Sequence, residues 1–128
     1  MSDSIGRLYQ AVLAARDADP SRSRTAKLMQ SSRAKMAKKM AEEAVEVVID
    51  AIDGNTDAVV RESADLIYNL VVLWAAAGIS PEDVWGEMNR REKFLGIAEK
   101  LPKAARVASA VPRRKVVPLD ERRAHKRT

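Results

Sequence analysis

The sequence of 128 residues contains no cysteine, which excludes a disulfide framework, a zinc-thiolate site and a cysteine nucleophile, and suits a reducing compartment. Histidine occurs once, as His125 in a basic C-terminal stretch, so His-based triads and His-rich metal sites are nearly excluded too. Any acid-base or metal chemistry must then use carboxylates, water and Lys or Arg. No apolar run reaches the roughly 18 residues that suggest a membrane span, and the N-terminus lacks a basic segment followed by an apolar one. These absences lead to the expectation of a soluble, cytoplasmic protein. Also missing is any window of alternating apolar and polar residues long enough to require a strand. An all-α fold is expected.

Charge is abundant and unevenly spread. The formal net charge is +5, yet residues 1–95 carry 13 Lys or Arg against 15 Asp or Glu, whereas residues 96–128 carry 10 against 3. The body is near neutral and the tail is basic. A chain of this length is one domain's worth, and the expected organisation is an all-α domain over residues 1–101 followed by a basic, flexible appendage over 102–128, where Pro102, Pro112 and Pro118 interrupt any pattern.

Ile5, Leu8, Tyr9, Val12 and Leu13 have the spacing of an amphipathic helix that ends near Arg16, capped by Ser2, Asp3 or Ser4. Residues 17–24 contain Pro20 and read as a loop. A second helix is expected from Ser23 or Thr25 to Ile52, bent around residues 30–33, where Ser31 and Ser32 weaken helical propensity. Asp53, Gly54 and Asn55 end it, and a third helix spans roughly Ala58 to Ala77, stopping at Gly78. Ser80 and Pro81 with Glu82 and Asp83 open a fourth, expected to turn Val84, Met88 and Leu95 inward. From Leu66 to Ala77 the only conventionally polar groups are Asn69 and the Tyr68 hydroxyl. A helix apolar nearly all round is buried nearly all round, which the other short helices of one chain scarcely achieve. A homo-oligomer, most simply a dimer, is therefore expected to complete the bundle.

The chemistry is concentrated between Lys35 and Asp65. At 100° per residue Glu43 and Glu46 lie about 60° apart on a helix, with Lys35, Lys39 and Asp50 in the same arc. Glu62 and Asp65 repeat the device on the next helix, and Asn69 sits one turn further on. Two such strips facing each other would bring four carboxylates together, and at separations of about 5 Å each pair repels by roughly 3 kcal/mol at an effective dielectric of 20. Only protons or cations relieve that, and magnesium, which takes oxygen ligands and also binds phosphates, is the natural candidate. Lys39, one turn before Glu43, is placed to meet the outer phosphates, with Lys35 and Lys38 as lesser candidates; Arg90 and Arg91 form a possible bidentate phosphate clamp. The plainer alternatives are a solvated face of (i, i+4) ion pairs for the acids and a register-fixing buried amide for Asn69. A different class of reading, a helical scaffold whose basic tail binds nucleic acid, is disfavoured because the tail has no aromatic residue for base stacking.

The runs E-E-A-V-E at 42–46 and E-S-A-D at 62–65 resemble the E-E-x-x-E and E-x-x-D signature of the MazG-like all-α nucleotide pyrophosphohydrolases. Within that superfamily the match is to the phosphoribosyl-ATP pyrophosphohydrolases of histidine biosynthesis. It extends from about Ile5 to Arg91 and includes S-R-T at 23–25, K-M-A-E-E-A-V-E-V-V-I at 39–49, E-S-A-D-L-I-Y-N-L at 62–70 and E-M-N-R-R at 87–91. The resemblance implies a dimeric, magnesium-dependent enzyme that cleaves phosphoribosyl-ATP to phosphoribosyl-AMP and pyrophosphate. Carried over by position, Glu43, Glu46, Glu62 and Asp65 are its metal ligands. Glu42 is a supporting acid or a base for the attacking water, and Lys39 a phosphate contact. Two positions depart from the pattern: Asn69 and Glu92 stand where the family usually has His. They leave the substrate open between phosphoribosyl-ATP and another (d)NTP of the kind removed by house-cleaning relatives.

Overall fold

The computed structural model describes residues 3–96, and every regular element among them is a helix. α1 (Ser4–Ala15) begins where the Asp3 carboxylate accepts the Gly6 N–H at 3.0 Å. Its apolar stripe, Ile5, Leu8, Tyr9, Val12 and Leu13, joins the core as the spacing predicts, with Val12 fully buried. In the loop that follows, Asp19 accepts the Ser21 N–H at 2.9 Å and the Ser21 hydroxyl at 2.8 Å. Those two donors favour its ionised form and hold the carboxyl below its ordinary range.

The helix expected from residue 23 or 25 to Ile52 is two helices, α2 (Arg24–Met29) and α3 (Arg33–Ile52). Serine hydroxyls compete with the helical backbone for hydrogen bonds, and here they win. Ser23 Oγ accepts the Ala26 N–H and Ser32 Oγ accepts the Lys35 N–H, each at 3.1 Å, so each serine caps a fresh helix. Between them Ser31 donates its hydroxyl back to the Leu28 carbonyl, and Gln30 Nε2 donates to the carbonyls of Arg16 and Ala18, at 3.3 and 3.0 Å. The expected bend is a break, stitched to the preceding loop.

α3 and α4 (Thr56–Ala77) form the principal helix pair. The turn between them depends on Gly54, whose φ of +74° is the left-handed conformation that glycine adopts without a Cβ penalty. Asn55 then caps α4 by accepting the Ala58 N–H at 3.2 Å. Arg33, at the start of α3, donates to the Ala76 carbonyl near the end of α4, at 3.2 Å, so the pair runs antiparallel along its length. Gly78 ends α4, also at φ +74°, and the Ile79 N–H reaches back to the Trp74 carbonyl at 2.9 Å. α5 (Pro81–Leu95) opens on reciprocal caps: Ser80 Oγ accepts the Asp83 N–H, and Asp83 Oδ2 accepts the Ser80 N–H.

The chain divides into two units, Met1–Met88 and Asn89–Thr128, and the boundary cuts α5. The core of the first unit gathers Val12, Leu28, Met36, Val71, Val72 and Ala75, flanked by Tyr68, Leu73 and Trp74. Burying each large side chain there contributes roughly 1.5–3 kcal/mol. This core covers the C-terminal half of α4 and the N-terminal part of α3. Their other ends are bare on one side: Val45, Val48 and Ile49 are about half exposed, Val60 is 69% exposed and Ile52 is 80% exposed. Met88, expected to point inward, is half exposed. Inward contact of α5 in this unit involves Pro81, which is fully buried, and Trp85, whose ring meets Trp74 edge-on at 6.2 Å and 87°. Val84 is half-buried. In the second unit Lys93 Nζ lies 5.7 Å from the Phe94 ring centroid. The Leu95 side chain and the expected appendage over 102–128 lie outside the described residues. No single helix among them is long and apolar enough to cross a membrane.

Candidate metal centre

Because Glu62 and Asp65 are three residues apart on α4, they share a face, and the antiparallel pairing presents that face to Glu43 on α3. One carboxylate oxygen from each of Glu43, Glu62 and Asp65 lies within 4.8 Å of the other two, and all three residues are half-buried. Glu43 Oε2 is shut off from solvent with no hydrogen-bond partner among the described residues. A buried anionic oxygen without a donor is costly.

Glu46, one turn beyond Glu43, lies close enough to Glu62 for the two carboxyl groups to interact. The Glu62 carboxyl beside it is the main reason the Glu46 carboxyl titrates above its ordinary range. The negative charge of Glu62, desolvation, and the charges of Asp50 and Asp65 push the same way. Glu62 is raised as well, first by the Glu43 carboxyl beside it, then by desolvation and the charges of Glu43 and Asp65; the Glu46 carboxyl partly offsets this. Glu43, Glu62 and Asp65 therefore converge, whereas Glu46 is exposed, stands outside that group and adjoins it through Glu62. Asp50, four residues beyond Glu46 and on the arc traced from the spacing, was given no role there; its charge reaches the site.

Asn69 is 1% exposed. Its Nδ2 donates to the Asp65 carbonyl one turn back, at 2.8 Å, which fixes the amide's orientation and leaves Oδ1 buried without a partner among the described residues. Beside it, Tyr68 Oη and Thr25 Oγ1 share a hydrogen bond of 2.6 Å between α4 and α2, and the Arg24 guanidinium lies over the Tyr68 ring, 5.5 Å from its centroid. Sequence reasoning assigned nothing to this trio, although S-R-T and L-I-Y-N both fell inside the segments it singled out. Lys39 and Glu42 are exposed on α3, and Glu42 stands outside the converging carboxylates. Arg90 and Arg91 belong to the second unit.

The donor set fits a hard divalent cation. All of its ligand atoms are oxygens, three carboxylates converge within bonding reach of one ion, and a buried oxygen lacks any donor. Among the described residues, fold and site together define an all-helical protein with a cluster of three carboxylates, able to hold a cation, across a helical hairpin. The chain belongs to the phosphoribosyl-ATP pyrophosphohydrolase family, whose model matches residues 5–92. It is 67% identical over 133 residues to phosphoribosyl-ATP pyrophosphatase 2 of Bradyrhizobium diazoefficiens, covering 99% of both chains. To phosphoribosyl-ATP pyrophosphatase 2 of Rhodopseudomonas palustris it is 64% identical over 129 residues, 98% of both. With the phosphoribosyl-ATP pyrophosphatase of Gluconobacter oxydans it shares 53% identity over 96 residues, 75% of this chain and 72% of the relative.

Proposed function

We propose that the protein hydrolyses phosphoribosyl-ATP to phosphoribosyl-AMP and pyrophosphate in histidine biosynthesis, using magnesium held by Glu43, Glu46, Glu62 and Asp65. The observation that carries this reading is the convergence of Glu43, Glu62 and Asp65 within 4.8 Å in a chain of this family. Held by those carboxylates, magnesium would supply charge neutralisation at the phosphates and make a water more acidic. The protein's own side chains do the rest. Asn69 steadies the α4 backbone at Asp65 through its Nδ2 bond and offers the buried Oδ1 as an acceptor for a substrate or water hydroxyl. Glu42, on the solvent side of Glu43, either supports that ligand or takes the proton of the attacking water. Lys39, Arg90 and Arg91 are the cations assigned to the substrate's phosphates.

The catalytic domain in this reading is residues 1–101, with 102–128 an accessory basic tail. The bare apolar flank of α3 and α4 is covered by a second copy of the chain, and the enzyme works in the cytoplasm, where its nucleotide substrate is made.

The test is pyrophosphate release from phosphoribosyl-ATP and from each common (d)NTP, with and without magnesium. The expected result is magnesium-dependent turnover with phosphoribosyl-ATP preferred. Preference for a (d)NTP would transfer the protein to the house-cleaning branch, with Asn69 the first residue to exchange for His. Magnesium should also raise the melting temperature by mass action, and Asp65→Asn should lose most of that rise together with turnover. A normal magnesium response in Asp65→Asn removes Asp65 from the ligand set.

A further inference from the structure

We propose that Arg24, seated on the Tyr68 ring, is a further phosphate-binding residue of this active site. The inference rests on the pyrophosphohydrolase reading and adds to it a cation on a different helix from those assigned above. A nucleotide's phosphates must approach three converging carboxylates, with Glu46 and Asp50 close by. A positive side chain beside the site lowers the repulsion between those acids and the phosphates. A guanidinium suits the task because its planar fork matches phosphate oxygens and its face stacks on aromatic rings.

Arg24 is held where such a group is needed. Tyr68 follows Asp65 by three residues, which places it about 60° round α4 and about 4.5 Å further along the axis. Its ring is half-buried and its hydroxyl is tied to Thr25 at 2.6 Å, so the platform beneath the guanidinium is fixed. Arg24 adjoins Thr25 in the chain, sits 5.5 Å from the ring centroid and is exposed, leaving its N–H rim open to a ligand. The break before α3 serves the same end. An uninterrupted helix from residue 23 would not leave α2 free to lie across α4 at this level.

The experiment compares the full-length wild type with Arg24→Ala, Arg24→Lys and Tyr68→Phe. In steady-state hydrolysis of phosphoribosyl-ATP at saturating magnesium, Arg24→Ala should raise KM about tenfold or more, the loss expected for a charge-assisted hydrogen bond, while kcat changes far less. Arg24→Lys should recover part of the loss, and Tyr68→Phe, which keeps the ring but frees it from Thr25, should show a smaller rise in KM. Titration calorimetry with inorganic pyrophosphate and magnesium should show weaker binding to Arg24→Ala, whereas the melting response to magnesium alone should persist. A wild-type KM with wild-type pyrophosphate affinity in Arg24→Ala overturns the proposal. Loss of the magnesium melting response in that variant overturns it too, since Arg24 would then be propping up the carboxylates. Should the wild type leave phosphoribosyl-ATP intact, it is the functional reading that fails, and the pyrophosphate titration still decides the role of Arg24.

Discussion

Glu46 and Glu62 lie among other carboxylates in the folded protein, and both titrate above their ordinary value of 4.5 there. The native state therefore holds protons that the unfolded chain releases. The stability this confers is complete below the unfolded value and is lost as pH rises through the folded one. In chelator, the melting temperature is expected to increase as pH is lowered from 7 towards 5, and saturating magnesium should flatten that slope by replacing the proton. Glu62→Gln should reduce the slope in chelator; an equally steep slope in this variant would place its origin elsewhere. The convergence of Glu43, Glu62 and Asp65 was open to a reading from spacing because residues three and four apart on a helix must share a face. The Thr25–Tyr68 bond was not, because it joins side chains 43 positions apart and no local rule relates them. Asn69 stood midway: its place on the acidic face was readable, whereas its amide's grip on the Asp65 carbonyl needed coordinates.

Among the elements, α3 depends on Ser32 for its start. Ser32→Ala removes the acceptor for the Lys35 N–H and is expected to cost about 1 kcal/mol, read as a lower urea midpoint by far-UV circular dichroism with the slope unchanged. An unaltered midpoint would mean that water or a neighbouring group satisfies that N–H equally well. Helix boundaries at Asn55, Gly78 and Ser80–Pro81 were readable, since caps and left-handed glycines act within a turn of the backbone. The break at residues 30–32 was read only as a bend. Its completion depends on Gln30 reaching carbonyls 12 and 14 residues earlier, a tertiary contact outside any sequence window. Met88 failed for a related reason: apolar spacing names a face, but Trp74 selects Trp85 as the residue that meets it.

At the scale of the molecule, the core accounts for one end of the α3–α4 pair, while Val48 and Ile52 stand on its bare flank. If a second copy covers that flank, sedimentation equilibrium should give twice the chain mass of 14.1 kDa, and Val48→Glu combined with Ile52→Lys should give the monomer. A double variant that keeps the wild-type mass would move the interface elsewhere. An oligomer was expected from the apolar sweep of Leu66 to Ala77, whereas the barest apolar positions lie at the turn end of the pair. The basic stretch was legible only as charge. The family model stops at residue 92, whereas the alignments with the Bradyrhizobium and Rhodopseudomonas proteins take in almost the whole chain, that stretch included.

The chain's two tryptophans touch each other, edge to face, where α4 hands over to α5. Indole emission is consequently a gauge of that one corner, and the edge-on rings invite an exciton couplet in the ultraviolet that vanishes when the corner opens. Followed alongside backbone ellipticity, this optical pair distinguishes local release of α5 from melting of the helices that carry the carboxylates.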